Sequence, residues 1–249
     1  MIVQQFLIIL KNKPKFLADF TSFLLKPMHS KNWLARQKKD TFVKQAQEAG
    51  YSSRASFKLL QIQQQDQLIK PEMCVMDLGA APGGWSQVLA DIIKHKSAGD
   101  QSKDQGKGKG KGKIVALDKL PIASIAGVDF IQGDFTEEHT LNLLKNYLSQ
   151  QKVQWFDLVL SDMSPNISGI KLVDQCESIY LAELALDFCL KYLKVGGDFL
   201  VKVFEGRELA EYKLNLKQHF NKVLVRKPEA SRTQSKEIYL LARSKQNLN

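Results

Sequence analysis

The fold is decided by residues 73–87, which read MCVMDLGAAPGGWSQ. An apolar run typical of a buried strand leads directly into a glycine-rich turn, and a helical pattern starts near residue 84. In open α/β sheets, a ligand binds in such a turn at the carboxyl end of the strand. The turn has neither the GxGxxG spacing of dinucleotide sites nor the spacing of a P-loop, so it predicts a nucleoside-like ligand without a pyrophosphate.

Strand-like and helix-like segments alternate along the rest of the chain, which predicts an α/β fold with a mainly parallel sheet and helices on both faces. The last two strands are joined by a loop, and we expect them to form an antiparallel hairpin at one edge. The predicted strands are 73–78, 114–118, 128–131, 156–161, 198–204, 222–226 and 237–243, and the predicted helices are 36–49, one within 52–65, 84–95, 136–149, 175–193 and 207–219.

Acidic residues follow the first three predicted strands. Asp77 closes the first, Asp118 ends the second, and Asp134 follows the third. Because the carboxyl ends of parallel strands meet at one edge of a sheet, we expect these carboxylates to lie near one another. Carboxylates accept hydrogen bonds, so Asp118 suits ribose hydroxyls and Asp134 suits the exocyclic amine of a purine. Each acid taken alone is more often a cap than a ligand.

Lys202 lies in FLVKVFEG, a strand that otherwise reads as buried. A buried lysine is costly unless it is paired, and Asp162 at the end of the fourth strand is its natural partner. Glu237 begins the last strand and by itself reads as an ordinary surface glutamate.

The charge of the chain is localised. The formal net charge of +10 comprises +8 over residues 1–58, +5 over 94–113 and −3 over the remainder. This pattern favours a polyanionic partner, nucleic acid before membrane, although basic tails that only keep a protein in solution are the alternative. The residues expected to contact phosphates are Lys31, Arg36, Lys38, Lys39, Lys44 and Arg54.

Two segments stand apart from the predicted domain. Residues 1–30 form an apolar and then basic extension, which we interpret as an organellar presequence, an extra helix, or sequence upstream of a natural start at Met28. The insert 97–113 alternates glycine and lysine and cannot form a core. It is either a disordered insertion or a nonspecific phosphate-binding arm.

Composition excludes several classes of protein. The sequence has no apolar run long enough for a membrane span, and 44% hydrophobic with 25% charged residues argues against wholesale disorder. Cys74, Cys176 and Cys189 have no metal-ligand spacing and are odd in number. We therefore expect reduced thiols, no structural metal and a cytosol-like compartment.

Four stretches together, DLGAAPGGWSQ, SDMSPNISG, FLVKVFEG and SSRASFKL, resemble the FtsJ/RrmJ family of S-adenosylmethionine-dependent RNA ribose 2′-O-methyltransferases. The resemblance extends over residues 31–243 and implies a Rossmann-like methyltransferase sheet of seven strands with an antiparallel terminal strand. It implies a single methyltransferase domain over 31–245, with a basic RNA-binding segment at 31–58. The residues that match the family's catalytic positions are Lys58, Asp162, Lys202 and Glu237, and those that match its cofactor positions are Gly83, Trp85, Asp118, Asp134 and Asp162.

The resemblance also implies a substrate, which is a uridine in the A-loop of 23S rRNA on the large ribosomal subunit. We expect a monomer in the bacterial cytoplasm, or a mitochondrial version if residues 1–27 are cleaved. In the expected reaction Lys202 is the general base, with no metal required, while Lys58 and partial burial favour its neutral amine and the two acids oppose this. A transfer RNA ribose methyltransferase and a noncatalytic RNA-binding assembly factor are the rival interpretations.

Overall fold

The structure, a computed structural model, describes residues 40–94, 112–232 and 235–247. The extension 1–30, most of the insert 97–113 and the start of the predicted helix 36–49 lie outside these residues. The elements in chain order are α1 (Thr41–Glu48), α2 (Ala55–Asp66), β1 (Cys74–Leu78), α3 (Gly84–Lys94), β2 (Lys113–Asp118), β3 (Val128–Gln132), α4 (Glu138–Gln150), β4 (Phe156–Ser161), α5 (Lys171–Tyr192), β5 (Leu193–Phe204), α6 (Leu209–His219), β6 (Phe220–Arg226) and β7 (Glu237–Lys245).

The strands form one seven-stranded sheet in the order β3-β2-β1-β4-β5-β7-β6. The first five strands in the chain are parallel, whereas β7 runs antiparallel to both β5 and β6. The predicted α/β fold with an antiparallel hairpin at one edge is therefore confirmed. The extent of the single domain, 31–245, stays a prediction.

The two faces of the sheet carry separate apolar cores. Helices α2 and α3 cover one face, and α4, α5 and α6 cover the other. Successive strand residues alternate between the cores, as the pleat requires, so Val75 packs with the first set of helices and Met76 with the second. The carboxyl edge of the parallel strands is consequently reached by α2 from one face and by the loop into α5 from the other.

Helix α5 and strand β5 both begin several residues earlier than the sequence predicted. Helix α5 begins at Lys171 rather than 175, because Asp174 accepts 2.7 Å hydrogen bonds from the amide and the hydroxyl of Ser168 and holds the preceding turn. Strand β5 begins at Leu193 rather than 198, because Leu193 pairs with Phe156 before a register shift in the ladder. The pairing of Leu193 with Phe156 joins distant segments and therefore has no local signature in the sequence.

Within the described ranges, none of the helices combines the length and the low polarity that crossing a bilayer requires. The same residues contain no group of three or more His, Cys, Asp and Glu side chains that could hold a metal ion.

Candidate active site

The predicted catalytic residues come from separate elements that meet at the carboxyl edge of the sheet. Lys58 lies on α2, Asp162 directly follows β4, Lys202 lies in β5 and Glu237 begins β7. Because β7 runs antiparallel to β5, its first residue lies at the edge where β4 and β5 end. The topology therefore brings together four residues that span most of the sequence.

Lys202 and Asp162 form the first ion pair of the site. The Lys202 Nζ lies 2.6 Å from the backbone carbonyl oxygen of Asp162 and 3.1 Å from its carboxylate Oδ1. The Lys202 side chain is only 6% exposed. The buried lysine thus has the partner expected from the sequence, and the pair orients the amine at the edge of the sheet.

Lys58 and Glu237 form the second ion pair, which is also mostly buried. The Lys58 ammonium lies over the ring of Tyr239, 5.8 Å from its centroid, in a cation–π arrangement. The second cation is therefore held between a carboxylate and an aromatic face.

Tyr239 joins the two ion pairs, and sequence reasoning did not single it out. Its hydroxyl lies 2.9 Å from Asp162 Oδ1 and 3.0 Å from Glu237 Oε1. Burial, reinforced by the two carboxylates, raises the pKa of this phenol well above its usual value, so it remains protonated. One hydroxyl has one proton, so it donates to one carboxylate at a time. The sequence indicates the role of Tyr239 only weakly, as an aromatic residue with a polar hydroxyl in a mostly aliphatic part of a strand.

The glycine loop lies beside this network, between β1 and α3. Gly83 has φ +107°, and a Cβ there would lie 3.1 Å from Ile125 Cδ1, so the position requires glycine. Asp118 holds the loop, since its Oδ2 accepts from the Ala81 amide at 2.9 Å and its Oδ1 from the Leu120 amide at 2.8 Å. Each carboxylate oxygen can accept a further hydrogen bond.

Asp134 lies at the end of the neighbouring strand β3. Its Oδ1 accepts from the amide and hydroxyl of Thr136, and its Oδ2 lies 2.7 Å from the Lys119 Nζ. Burial opposes ionisation here, but the hydrogen bonds from Lys119 and Thr136 outweigh it and lower the pKa of this carboxyl. Asp134 is therefore a fixed, ionised acceptor.

The Trp85 side chain lies in the core rather than on the surface of the loop. It is 2% exposed, its indole nitrogen donates to the Ala55 carbonyl at 2.8 Å, and its ring packs against Tyr239 at a centroid distance of 5.7 Å. Its side chain therefore joins α3 to α2 and β7, and only its backbone at the start of α3 is placed near a ligand in the loop.

Asp77 is fully buried beneath the glycine loop. Its Oδ2 accepts from the Ser86 hydroxyl at 2.6 Å, whereas its Oδ1 is buried without a hydrogen-bond partner. Burial raises the pKa of this carboxyl to about 7, against the hydrogen bond from Ser86 and with support from the charges of Asp162 and Asp118. A hydrogen-bond donor that enters the loop would therefore find an acceptor that has no partner in the protein.

A basic cluster lies next to the four predicted catalytic residues, which we call the tetrad. Arg54 pairs with Asp40 and donates to the Ala230 carbonyl, and the Arg232 Nε lies 3.4 Å from the same Asp40 carboxylate. Burial, together with the charge of Arg232, lowers the pKa of Arg54. The Arg232 side chain is 39% exposed, and sequence reasoning did not single it out. Of the predicted phosphate contacts, exposed Lys44 and paired Arg54 are described, and the other four lie outside the described residues.

Comparison with known proteins identifies the family. A family model for FtsJ-like methyltransferases matches residues 51–245, which include the whole tetrad, the glycine loop and the strand-end acids. The chain belongs to the FtsJ-like methyltransferase family. The predicted enzyme class, a methyltransferase, is thereby confirmed.

Relatives of this FtsJ-like methyltransferase are similar over nearly their full length. A protein of Alkalilimnicola ehrlichii named ribosomal RNA large subunit methyltransferase E is 52% identical over 214 residues, covering 86% of this chain and 94% of the relative. Proteins with the same name from Marinobacter nauticus and Nitrosospira multiformis are 48% and 50% identical, covering 86% and 88% of this chain and 95% and 97% of the relatives.

A solved structure has the same fold as this methyltransferase. It is a protein of Plasmodium falciparum described as a ribosomal RNA methyltransferase, with 28% identity and a TM-score of 0.66. The match covers 78% of this chain and 98% of that one.

Proposed function

We propose that this FtsJ-like methyltransferase transfers a methyl group from S-adenosyl-L-methionine to the ribose 2′-hydroxyl of a uridine in the A-loop of 23S rRNA, on the large ribosomal subunit. The observation that carries the proposal is the connected network Lys58–Glu237–Tyr239–Asp162–Lys202 beside the glycine loop. The names of relatives about half identical to this chain support a ribosomal RNA substrate.

The donors and acceptors of the loop fit this cofactor. Its ammonium, ribose hydroxyls and exocyclic amine are all hydrogen-bond donors, and they would meet the acceptors at the strand ends. Asp118 would take the ribose, Asp134 the adenine amine, and Asp162 would lie on the reacting side, with Gly83 and the Trp85 backbone forming the loop. The buried, unsatisfied Oδ1 of Asp77 supports the fit, because such an atom is costly without a donor.

The cofactor supplies a methyl group on a sulfonium, which is already a good leaving group. The chain's own residues therefore have two tasks, to align the ribose hydroxyl and to remove its proton. In our proposal the neutral amine of Lys202 takes that proton as general base and becomes the ammonium that pairs with Asp162, whose carbonyl and carboxylate fix its position. Lys58, held by Glu237, positions the hydroxyl or its neighbouring phosphate.

The basic residues near the tetrad would hold the RNA backbone. The exposed Arg232 and Lys44, with the basic residues that precede residue 40, would contact phosphates and so supply affinity that depends on salt. Because one chain provides the whole tetrad, we propose that the enzyme acts as a monomer.

The decisive experiment measures transfer of labelled methyl from S-adenosylmethionine to undermethylated large ribosomal subunits, with naked rRNA and transfer RNA alongside, and maps the product. We expect label on a uridine ribose of the subunit alone. Label on transfer RNA would instead assign the protein to the transfer RNA enzymes. No label on any RNA, with cofactor still bound, would indicate a noncatalytic assembly factor.

A further inference from the structure

The loop that follows Asp162 exposes aliphatic side chains beside the catalytic site. Ile167 is 63% exposed and Ile170 is 54% exposed. We call these two residues the apolar ridge. Residues 163–170, MSPNISGI, contain no charged side chain, in contrast to the basic cluster of Arg54 and Arg232.

The ridge lies on a turn that the chain holds in place. The buried Asp174 accepts hydrogen bonds from the amide and hydroxyl of Ser168, both at 2.7 Å, and the Ser168 hydroxyl in turn accepts from the Ile170 amide at 3.1 Å. A held turn presents its exposed side chains at little further entropic cost, which is how binding surfaces are preorganised.

Topology places the ridge and the cations on opposite faces of the reaction centre. Lys58 approaches the sheet edge from α2, whose apolar residues pack on one face, whereas the turn leads from Asp162 into α5, which packs on the other face. A ribose held between Lys202 and Asp162 therefore has Lys58 on one side and the apolar ridge on the other. A nucleotide has the matching polarity, with its phosphate on one side of the ribose and its base on the other.

We propose that the apolar ridge contacts the face of an unstacked RNA base, that of the target nucleotide or its neighbour, and so helps to select a nucleotide already out of a helix. The inference rests on the proposed ribose methylation. Sequence-specific RNA recognition targets single-stranded loops whose bases can be splayed out. Enzymes that act on a flipped-out base hold it between aromatic or apolar side chains.

The test compares two double variants with wild-type enzyme. Ile167→Ser with Ile170→Ser removes the ridge contacts, and Val195→Ser with Leu214→Ser is the matched control, because Val195 and Leu214 are equally exposed but lie at the start of β5 and on α6. With undermethylated large ribosomal subunits as substrate, we expect the ridge variant to raise KM about tenfold. Its kcat and its affinity for S-adenosylmethionine should stay within about twofold of wild type. In the control variant, KM, kcat and the affinity for S-adenosylmethionine should all stay within about twofold of wild type.

An unchanged KM in a ridge variant that still binds cofactor would overturn the proposal. A wild-type enzyme that leaves the subunits unmethylated would contradict the proposed function, which is a different result. Photocrosslinking identifies the occupant directly: a benzophenone amino acid in place of Ile170 should crosslink to ribosomal RNA, and one in place of Leu214 should not. A crosslink from position 170 to a ribosomal protein would show that a protein, and not an RNA base, contacts the ridge. That result would reject the inference.

Discussion

The hydroxyl oxygen of Tyr239 lies 2.9 Å from Oδ1 of Asp162, the same carboxylate oxygen that lies 3.1 Å from Nζ of Lys202. The hydroxyl and the amine therefore share one acceptor oxygen, which has room for both donors, and the position of the carboxylate is set by both. Through its second contact, with Glu237, Tyr239 extends this coupling to Lys58.

Tyr239→Phe removes the hydroxyl but keeps the ring packed against Trp85. We expect the rate of methyl transfer in single turnovers to fall about three- to tenfold, because one hydrogen bond that orients a charged group is lost. Tyr212→Phe is a matched control, since that buried hydroxyl binds the Ala182 carbonyl in a different part of the core. A loss as large as that caused by truncating Lys202 would mean that Tyr239 touches the reacting atoms.

Lys202→Ala removes the proposed general base. We expect turnover to fall by at least about a hundredfold, which is the usual contribution of a positioned base. Calorimetry should give an affinity for S-adenosylmethionine within a few-fold of wild type, because the glycine loop, which is the proposed cofactor site, lies on other elements. Lys217→Ala, an exposed change on α6, should leave both quantities unchanged. Turnover within a few-fold of wild type would reject the assignment of the base.

Arg232→Ala tests the phosphate contacts. The side chain is partly exposed and shares Asp40 with Arg54, so a cation would be lost from the cluster that we propose to contact RNA. Binding should weaken by a similar factor for all RNA sequences, and the slope of log Kd against log salt should fall by about one. The measurement is RNA binding over a series of salt concentrations. A slope equal to that of wild type would exclude Arg232 from the interface.

Asp77→Asn tests the protonation state of the buried carboxyl through the pH dependence of the free energy of unfolding. The pKa of Asp77 is raised from 3.8 to about 7 in the folded protein. The folded protein therefore keeps a proton that the unfolded chain releases, and the resulting stability is complete at low pH and lost as pH rises through about 7. Asparagine does not ionise, so the free energy of unfolding of wild type relative to the variant should fall by about 2 to 3 kcal/mol between about pH 5 and pH 8.

Denaturant titrations of the cofactor-free protein at several pH values measure this difference. The exposed Asn146→Ser, which removes no ionisable group, is the control, and its difference from wild type should not change with pH. A pH-independent difference for Asp77→Asn as well would mean that Asp77 is ionised in the folded protein throughout this range.

Lys245→Met tests the hydrogen bonds that join the end of β7 to the end of α5. The Lys245 Nζ donates to the carbonyls of Cys189, Leu190 and Leu193 at 2.8 to 2.9 Å, which satisfies the end of that helix. Methionine keeps the aliphatic contacts but leaves these acceptors unpaired, so the free energy of unfolding should fall by about 1 to 3 kcal/mol. Urea denaturation measures the change, and Lys222→Met on the exposed edge strand should cost far less.

Most strands and helices could be predicted from the sequence because local pattern decides them. The run before Asp77 is apolar and ends at glycines, so strand β1 differs from its prediction by one residue. The sequence of Leu193 to Gly197 ends in two glycines and reads as a turn, yet it extends β5 because Leu193 pairs with Phe156 across the sheet. Pairing between distant segments has no local signature.

From the residues alone, the catalytic part of the candidate site was predictable where a residue's type conflicts with its surroundings, whereas Lys58 and Glu237 followed only from the family resemblance. Lys202 in an apolar strand is such a conflict, and its partner Asp162 followed from it. Tyr239 and Arg232 conflict with nothing, because a tyrosine fits a strand and an arginine fits a loop. Trp85 was expected at the cofactor, but its side chain packs in the core, since a sequence position fixes the backbone of a loop and not the direction of each side chain.

The junction between α3 and β2 has a practical consequence. A Cβ on Gly112 would lie 2.6 Å from Ile93 Cγ2, so the two ends of the interval 95–111 are adjacent, at the sheet edge opposite the tetrad. Loop-closure entropy changes slowly with length, so this interval can be shortened to a tight turn or lengthened with little effect on folding. It is therefore a permissive position for inserting an affinity tag or a fluorophore, because a label there would be attached at the edge opposite the proposed reaction centre.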